Sequence, residues 1–430
     1  MSDAQKTSVE AGRERLGDAA FTLLLAASVA SAVRVPYLDG GLPNLVLPLA
    51  SAVLVLSARP EPRAFLRRHA LLLAAAGALL AWTWLSAVAS RWPDTAIRMA
   101  VKSTLYAGAF VALVARFEEE ERAARSLRAI LLFLAGLAAL GVVESAFPDA
   151  DLFRLFRSDR SLSIQPRVSS ILPWPNPYGV LMVAGVALSE GMAAARLLAR
   201  GPALLASLLF LTQVAQSGSR NAWGVAGLVL VLVAVRAARA RKGWREALLA
   251  AFFAAGLFLL PVAAYQLRIE KSSPVARALL PDRYVGTSSL ADPMLSLSLR
   301  WKIWHLGVVC VSYQPVLGLG PGVFTKVATP TVMGGRAGFN AHDLPLDLAV
   351  DVGLPGLLLG LLSVAALRPA RWLSRPAGTA LAAILAGQLL DCFLYEPATV
   401  IVMLAVAASL AVPRDGTSPA ASPGPAAAGG

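Results

Sequence analysis

Asn340-Ala341-His342-Asp343-Leu344-Pro345-Leu346-Asp347-Leu348-Ala349-Val350-Asp351-Val352-Gly353-Leu354-Pro355-Gly356 sets a histidine and two further acids at the mouth of an apolar run that continues to Ala366. A run of that length crosses the hydrocarbon core of a bilayer as one helix of about 20 residues. Ionisable groups at membrane depth are costly to desolvate, so those that occur are functional candidates. His342 is one of only three histidines in the chain.

The rest of the composition fits that stretch. The 430 residues are 57% hydrophobic and 15% charged, with a mean hydropathy of +0.64. Charged residues make up about a quarter of an ordinary soluble chain. The polar residues are bunched between apolar runs of spanning length, which predicts an all-α polytopic membrane protein. A net charge of +13 would point to nucleic acid on a soluble protein. Here basic loops that hold one face in the cytoplasm account for it, and no base-stacking motif accompanies them. Cys310 and Cys392 make neither a metal spacing nor a disulfide framework. The first apolar run lacks a cleavage signature and reads as the first span.

About twelve spans are expected, at about 17–33, 42–57, 69–90, 97–115, 126–147, 177–195, 201–217, 222–239, 247–265, 343–366, 377–394 and 397–412. Residues 1–16 read as a polar cytoplasmic segment, disordered or interfacial. The Pro, Ala and Gly-rich tail 413–430 reads as disordered. Arginines gather between spans two and three (Arg59 to Arg68), four and five (Arg116 to Arg128), eight and nine (Arg236 to Arg245), and ten and eleven (Arg368 to Arg375). Alternating spans put all these loops on one side, the cytoplasm by the positive-inside rule, together with both termini. Glu118 to Glu121 then form a solvated turn among basic neighbours. The opposite face carries segments 148–176 and 266–342. The second is far longer than an ordinary connector and is expected to be functional, with amphipathic helices such as Leu295 to Val311 lying against the bundle.

Three elements converge on that face. Ser217-Gly218-Ser219-Arg220-Asn221 is too short to leave the interface, so Arg220 either snorkels to lipid headgroups or binds phosphate oxygens with its planar fork. Arg300 and Trp304 share a helix face at i and i+4, next to Trp301, as an interfacial belt or as part of a site. His342 is either a hydrogen-bonded structural residue at a helix start or a general base, histidine being the side-chain type that titrates nearest neutral pH. Asp347 and Asp351 either orient the ring, balance the arginines or face a polar interior. Two arginines and a histidine suit a displacement in which arginines hold a diphosphate and histidine deprotonates an acceptor hydroxyl. No carboxylate cluster for a divalent metal stands on this face, so the arginines take the electrostatic role.

On these residues the chain resembles the O-antigen ligase/polymerase family of bacterial inner-membrane glycosyltransferases. Ser217-Gly218-Ser219-Arg220 is similar to the family's Ser-Arg motif. Arg300 with Trp304, followed by Pro315, Gly318, Gly320 and Gly322, is similar to its loop arginine and glycine turn. His342 with Gly353 and Gly356 resembles its histidine and Gly-x-x-Gly pattern, and Arg167 with Pro175, Asn176 and Gly179 resembles a segment before the sixth span. The resemblance runs over roughly 160–366. Asp343 stands where ligases more often carry Asn, Ser or Gln, which bears on the acceptor class.

The resemblance implies a GT-C-type fold and a lipopolysaccharide-biosynthetic activity, without metal or other cofactor. The donor implied is a glycan on undecaprenyl diphosphate at the periplasmic leaflet, and the acceptor a lipid A–core hydroxyl. Related polymerases join repeat units, and a related branch glycosylates protein. Carried over residue by residue, His342 is the base and Arg220 and Arg300 bind the diphosphate. Arg167, Asn176, Arg98, Lys102, Ser219, Asp347 and Asp351 are lining or orienting residues, although Arg98 and Lys102 also fit snorkelling. A transporter with twelve spans is the rival from another class. It predicts internal repeats and broken, charge-bearing midplane helices. No clear repeat is found, and the informative charges gather at one face.

Overall fold

The computed structural model describes residues 3–30, 41–58, 60–147, 168–172, 174–241, 293–333, 341–368, 372, 375–389, 391–392 and 397–412. Among these the chain is helical, with turns and no strand. The helices in chain order are α1 (Asp3–Ala30), α2 (Gly41–Ala58), α3 (Pro62–Ala89), α4 (Pro93–Phe117), α5 (Glu120–Ala146), α6 (Pro175–Ala194), α7 (Arg200–Gln216), α8 (Arg220–Arg241), α9 (Pro293–Tyr313), α10 (Phe324–Met333), α11 (Leu344–Ala366), α12 (Gly378–Gln388) and α13 (Pro397–Ala411).

Five of them, α3, α4, α5, α6 and α11, are long and apolar enough to cross a bilayer. Shorter apolar helices cover Val46–Ala58, Arg220–Ala234, Gly378–Gln388 and Pro397–Ala411. This is the pattern of a multi-pass membrane protein. The expected span at 247–265, the segment 266–292 and the tail from Pro413 lie outside the described residues, as does Arg167. Residues 3–16 are not a separate segment: α1 runs unbroken from Asp3 into the first apolar run. Its polar end is tied down, with Asp18 paired to the buried Arg116, and Glu14 within ion-pair distance of Arg122 and Arg125.

The bundle is built around α6. Its apolar window is 89% buried, and it packs against α5, α7, α8 and α12. A helix apolar all round belongs in such a place. Small residues set the spacing. The faces of Gly179 and Gly185 meet Ala222 and Phe210, with no room for a methyl. Close backbone approach of this kind replaces the hydrophobic driving force that helices lack inside lipid. The main core joins α1, α2, α4, α5, α6, α7, α8, α12 and α13, and a smaller one joins α3, α4, α9, α10 and α11 around Ile303, Phe324 and Val350.

The basic loops meet at one end of this bundle. Arg68 and His69 at the start of α3 reach Glu118 at the α4–α5 turn, at 2.9 and 3.2 Å. Arg122 and Arg125 pair along α5 with Glu119 and Glu121. The Glu118 to Glu121 run is therefore a paired turn, as expected from its neighbours. The other end gathers the start of α6, the α7–α8 turn, the start of α11 and the residues after α12.

The span expected at 377–394 is helical only to Gln388 among the described residues, and α11 also departs from the continuous helix expected at 343–366. It is broken at Gly353, at φ 75 and ψ 175. Pro355 has no N–H to give the Asp351 carbonyl, so a kink follows. The carbonyls and amides it releases are taken up by the turn 315–322. Leu319 N donates to Val350 O at 2.8 Å, Gly320 N to Asp351 O at 2.9 Å, and Leu354 N to Pro315 O at 2.8 Å. From α3, Trp82 Nε1 donates to Val352 O at 2.8 Å and Ser86 Oγ to Asp351 O at 3.0 Å. Backbone polar groups at membrane depth demand such partners. The glycine turn is thus an inserted plug that completes a broken helix. The break is filled with protein from the turn 315–322 and α3.

Candidate functional site

Asp391, just beyond the C-terminus of α12, is the hub. Its side chain is 5% exposed, and a buried carboxylate needs donors from several sides. It has three. His342 Nδ1 lies 2.6 Å from Oδ1. Asn176 Nδ2 donates to Oδ2 at 2.7 Å. Arg300 Nη2 stands 3.8 Å from Oδ2, an ion-pair contact longer than a hydrogen bond. Four segments far apart in sequence are therefore joined at one carboxylate: the start of α6, the first third of α9, the entry to α11 and the exit of α12.

His342 is held on its own side as well. Its φ of 53 is left-handed, which is uncommon for a residue with a side chain and marks an over-determined position. The residue before it is fixed by Asp347, whose Oδ1 accepts from Ala341 N at 2.6 Å. The residue after it, Asp343, caps α11 by accepting from Leu346 N at 2.8 Å. The imidazole side chain stays 21% exposed. In the tautomer that donates Nδ1–H to Asp391, the lone pair falls on Nε2.

The acid on the imidazole is thus Asp391, and the two acids singled out in sequence do other work. Asp347 holds the Ala341 amide. Asp351 Oδ2 accepts from Gly322 N at 2.7 Å, fixing the end of the glycine turn. Asp391 had a signal in the sequence: a lone acid in the apolar run expected at 377–394, which is a functional candidate by the same rule that picked out His342.

Arg220 begins α8 and is exposed. Its side chain makes no ion pair or hydrogen bond with the described residues. Ser219 is the N-cap, with Oγ 3.3 Å from Ala222 N. Asn221 ties this turn to the hub, donating from Nδ2 to Gly387 O at 2.7 Å, four residues before Asp391. Arg220 is therefore a cation on a helix N-terminus, facing out at the same end of the bundle. A helix N-terminus favours anions, so the guanidinium and the dipole reinforce each other.

Arg300 and Trp304 face inward on α9, while Trp301, Lys302 and His305 are exposed. Trp304 Nε1 is buried with no hydrogen-bond partner. Arg98 is exposed, with Nε on the Asp94 carbonyl at 2.9 Å, and Lys102 stands 5.7 Å from the Tyr106 ring. Both lie on α4, outside the Asp391 cluster.

The structure thus gives a bundle of apolar helices of membrane-spanning length with His342, Asp391, Arg300 and Arg220 gathered at one end. The family model described as O-antigen ligase matches residues 205–361, and over that stretch the chain is similar to the O-antigen ligase family. The match supports glycan transfer of the ligase or polymerase kind, on lipid-linked glycans. It takes in Arg220, Arg300 and His342; Asn176 and Asp391 lie beyond it on either side. No curated protein matches the chain.

Proposed function

We propose that the protein is a GT-C-type inner-membrane ligase of about twelve spans. It transfers a glycan from undecaprenyl diphosphate to a lipid A–core hydroxyl at the periplasmic face, without metal, the Arg-rich end and both termini being cytoplasmic. The observation that carries the reading is the 2.6 Å contact of His342 Nδ1 with buried Asp391 beside Arg300. It sets the imidazole in the tautomer that accepts a proton at Nε2.

In the reaction the acceptor oxygen attacks the sugar C1. Nε2 of His342 takes the hydroxyl proton, and the C1–O bond to the diphosphate breaks with its electron pair leaving on the phosphate oxygen. Arg220 and Arg300 balance the charge on that departing group, the work a metal does elsewhere. Asp391 stabilises the imidazolium that forms.

The same residues serve a polymerase, whose acceptor is another repeat unit. Reconstitution with a lipid-linked glycan and lipid A–core, without added metal, separates the two. Glycan on lipid A–core, lost in His342→Ala, is the expected result. Lengthening of the lipid-linked glycan with none on core means the polymerase. A fully active His342→Ala variant would sink the base assignment.

A further inference from the structure

At the end of the bundle opposite His342 lies a shallow cleft open to solvent, with about 50 Å³ of enclosed space, between the start of α3, the end of α11, the turn before α12 and the end of α13. Its polar lining is basic: Arg68, His69, Arg368 and Arg375. Glu118 is the acid that reaches this wall, on Arg68 and His69. Arg375 is committed to the carbonyls that end α13, with Nη1 2.8 Å from Leu410 O and 2.6 Å from Val412 O. Arg368 follows the last turn of α11 at φ 55, exposed and without an ion pair to any described residue. Three guanidiniums and one carboxylate leave the cleft with an excess of positive charge.

The other half of the lining is apolar. Trp372 and Leu410 form its floor, both buried. At its rim Leu71 is 72% exposed. A cation pair over an apolar, outward-facing wall matches an amphiphile with a phosphate head and an acyl tail. A free phosphate has no use for Leu71.

We propose that this cleft binds the phosphodiester headgroup of an anionic phospholipid, with Arg68 and Arg368 on the phosphate oxygens and an acyl chain along Leu71. Basic pockets between membrane helices take anionic headgroups by this chemistry. The bound lipid bridges α3, α11 and α13, and it does so outside the transfer site.

The test is lipid retention by the purified full-length protein, read by native mass spectrometry, together with its melting temperature. The probes are phosphatidylglycerol, phosphatidylethanolamine and inorganic phosphate. The proteins are wild type, Arg368→Gln and the Arg68→Gln/Arg368→Gln double variant. Phosphatidylglycerol should be retained over phosphatidylethanolamine and raise the melting temperature. Retention should fall about fivefold for each arginine removed. Arg368→Gln breaks no ion pair or side-chain hydrogen bond among the described residues, so it reports on binding even if the double variant folds poorly. Equal retention of the two lipids, or retention unchanged in Arg368→Gln, overturns the site. Displacement of phosphatidylglycerol by millimolar inorganic phosphate, with the same melting shift, overturns the lipid and assigns the cleft to free phosphate.

Discussion

His342 Nδ1 and Asp391 Oδ1 meet at 2.6 Å although 49 residues separate them in the chain. The carboxylate is buried and the imidazole is partly exposed, which under the proposed function makes Asp391 the orienting group and His342 the base. Asp391→Asn keeps the shape but presents an amide in place of one oxygen, favouring the tautomer with its lone pair on the wrong nitrogen. Transfer should fall by about 100- to 10,000-fold, the range general-base function contributes. Donor KM should change far less than kcat. An Asp391→Asn enzyme with near wild-type kcat would show that the contact does not set the base.

The two arginines separate by what else they touch. Arg220 makes no ion pair or hydrogen bond with the described residues, whereas Arg300 also faces Asp391. Arg220→Ala should leave the melting temperature unchanged, within about 0.5 kcal/mol. It should lower kcat/KM for the lipid diphosphate about 10- to 100-fold, the worth of one hydrogen bond to a charged group. Arg300→Ala should do the same and also alter the pH profile, because it strips a cation from the carboxylate behind His342. Identical pH profiles for the two variants would contradict that division.

What the sequence revealed and what it hid follow from the range of the forces involved. Apolar runs are local, so α3, α4, α5, α6 and α11 were legible from spacing and length. His342 and Arg220 stood out in the sequence because an imidazole or a charge beside an apolar run is conspicuous, and Arg300 because it shares a helix face with Trp304. The partner of His342 was not, because burial and hydrogen bonding are decided by tertiary packing: Asp347 and Asp351 were near in sequence, and Asp391 was near in space. The break at Gly353 was equally hidden. Gly353 and Pro355 were visible as residues, but the turn 315–322 that supplies their missing hydrogen bonds comes from another segment.

Gly353 and Gly318 test that join. Gly353 sits at φ 75 and ψ 175, a conformation essentially closed to residues with a Cβ. A methyl there would collide with the Val316 carbonyl, and one on Gly318 with the backbone of Asp351 and Gly353. Gly353→Ala should cost at least about 3 kcal/mol, beyond the usual single substitution, and Gly318→Ala should approach it. Gly108→Ala, with nothing within 4 Å of the added methyl, should be neutral or slightly stabilising, since alanine favours helix. Melting temperatures in detergent would check the order. A Gly353→Ala protein as stable as wild type would mean that α11 does not need the break.

Asp347 and Asp351 each accept from one backbone amide, Ala341 N at 2.6 Å and Gly322 N at 2.7 Å. An acceptor oxygen is what these positions require, and asparagine keeps one. Asp351→Asn and Asp347→Asn should therefore retain much of the stability. The alanine variants should lose about 1–3 kcal/mol, the cost of a buried donor left unmatched. The two positions then part in their effect on transfer. Asp347 fixes the residue that leads into His342, so Asp347→Ala should lower kcat as well as the melting temperature. Asp351→Ala should lower the melting temperature with a smaller change in kcat, because its bond holds the far end of the glycine turn. Rates measured well below each variant's melting temperature separate stability from function. If Asp347→Asn were as inactive as Asp391→Asn, Asp347 would be acting on the imidazole, and the bond to Ala341 would not be its main role.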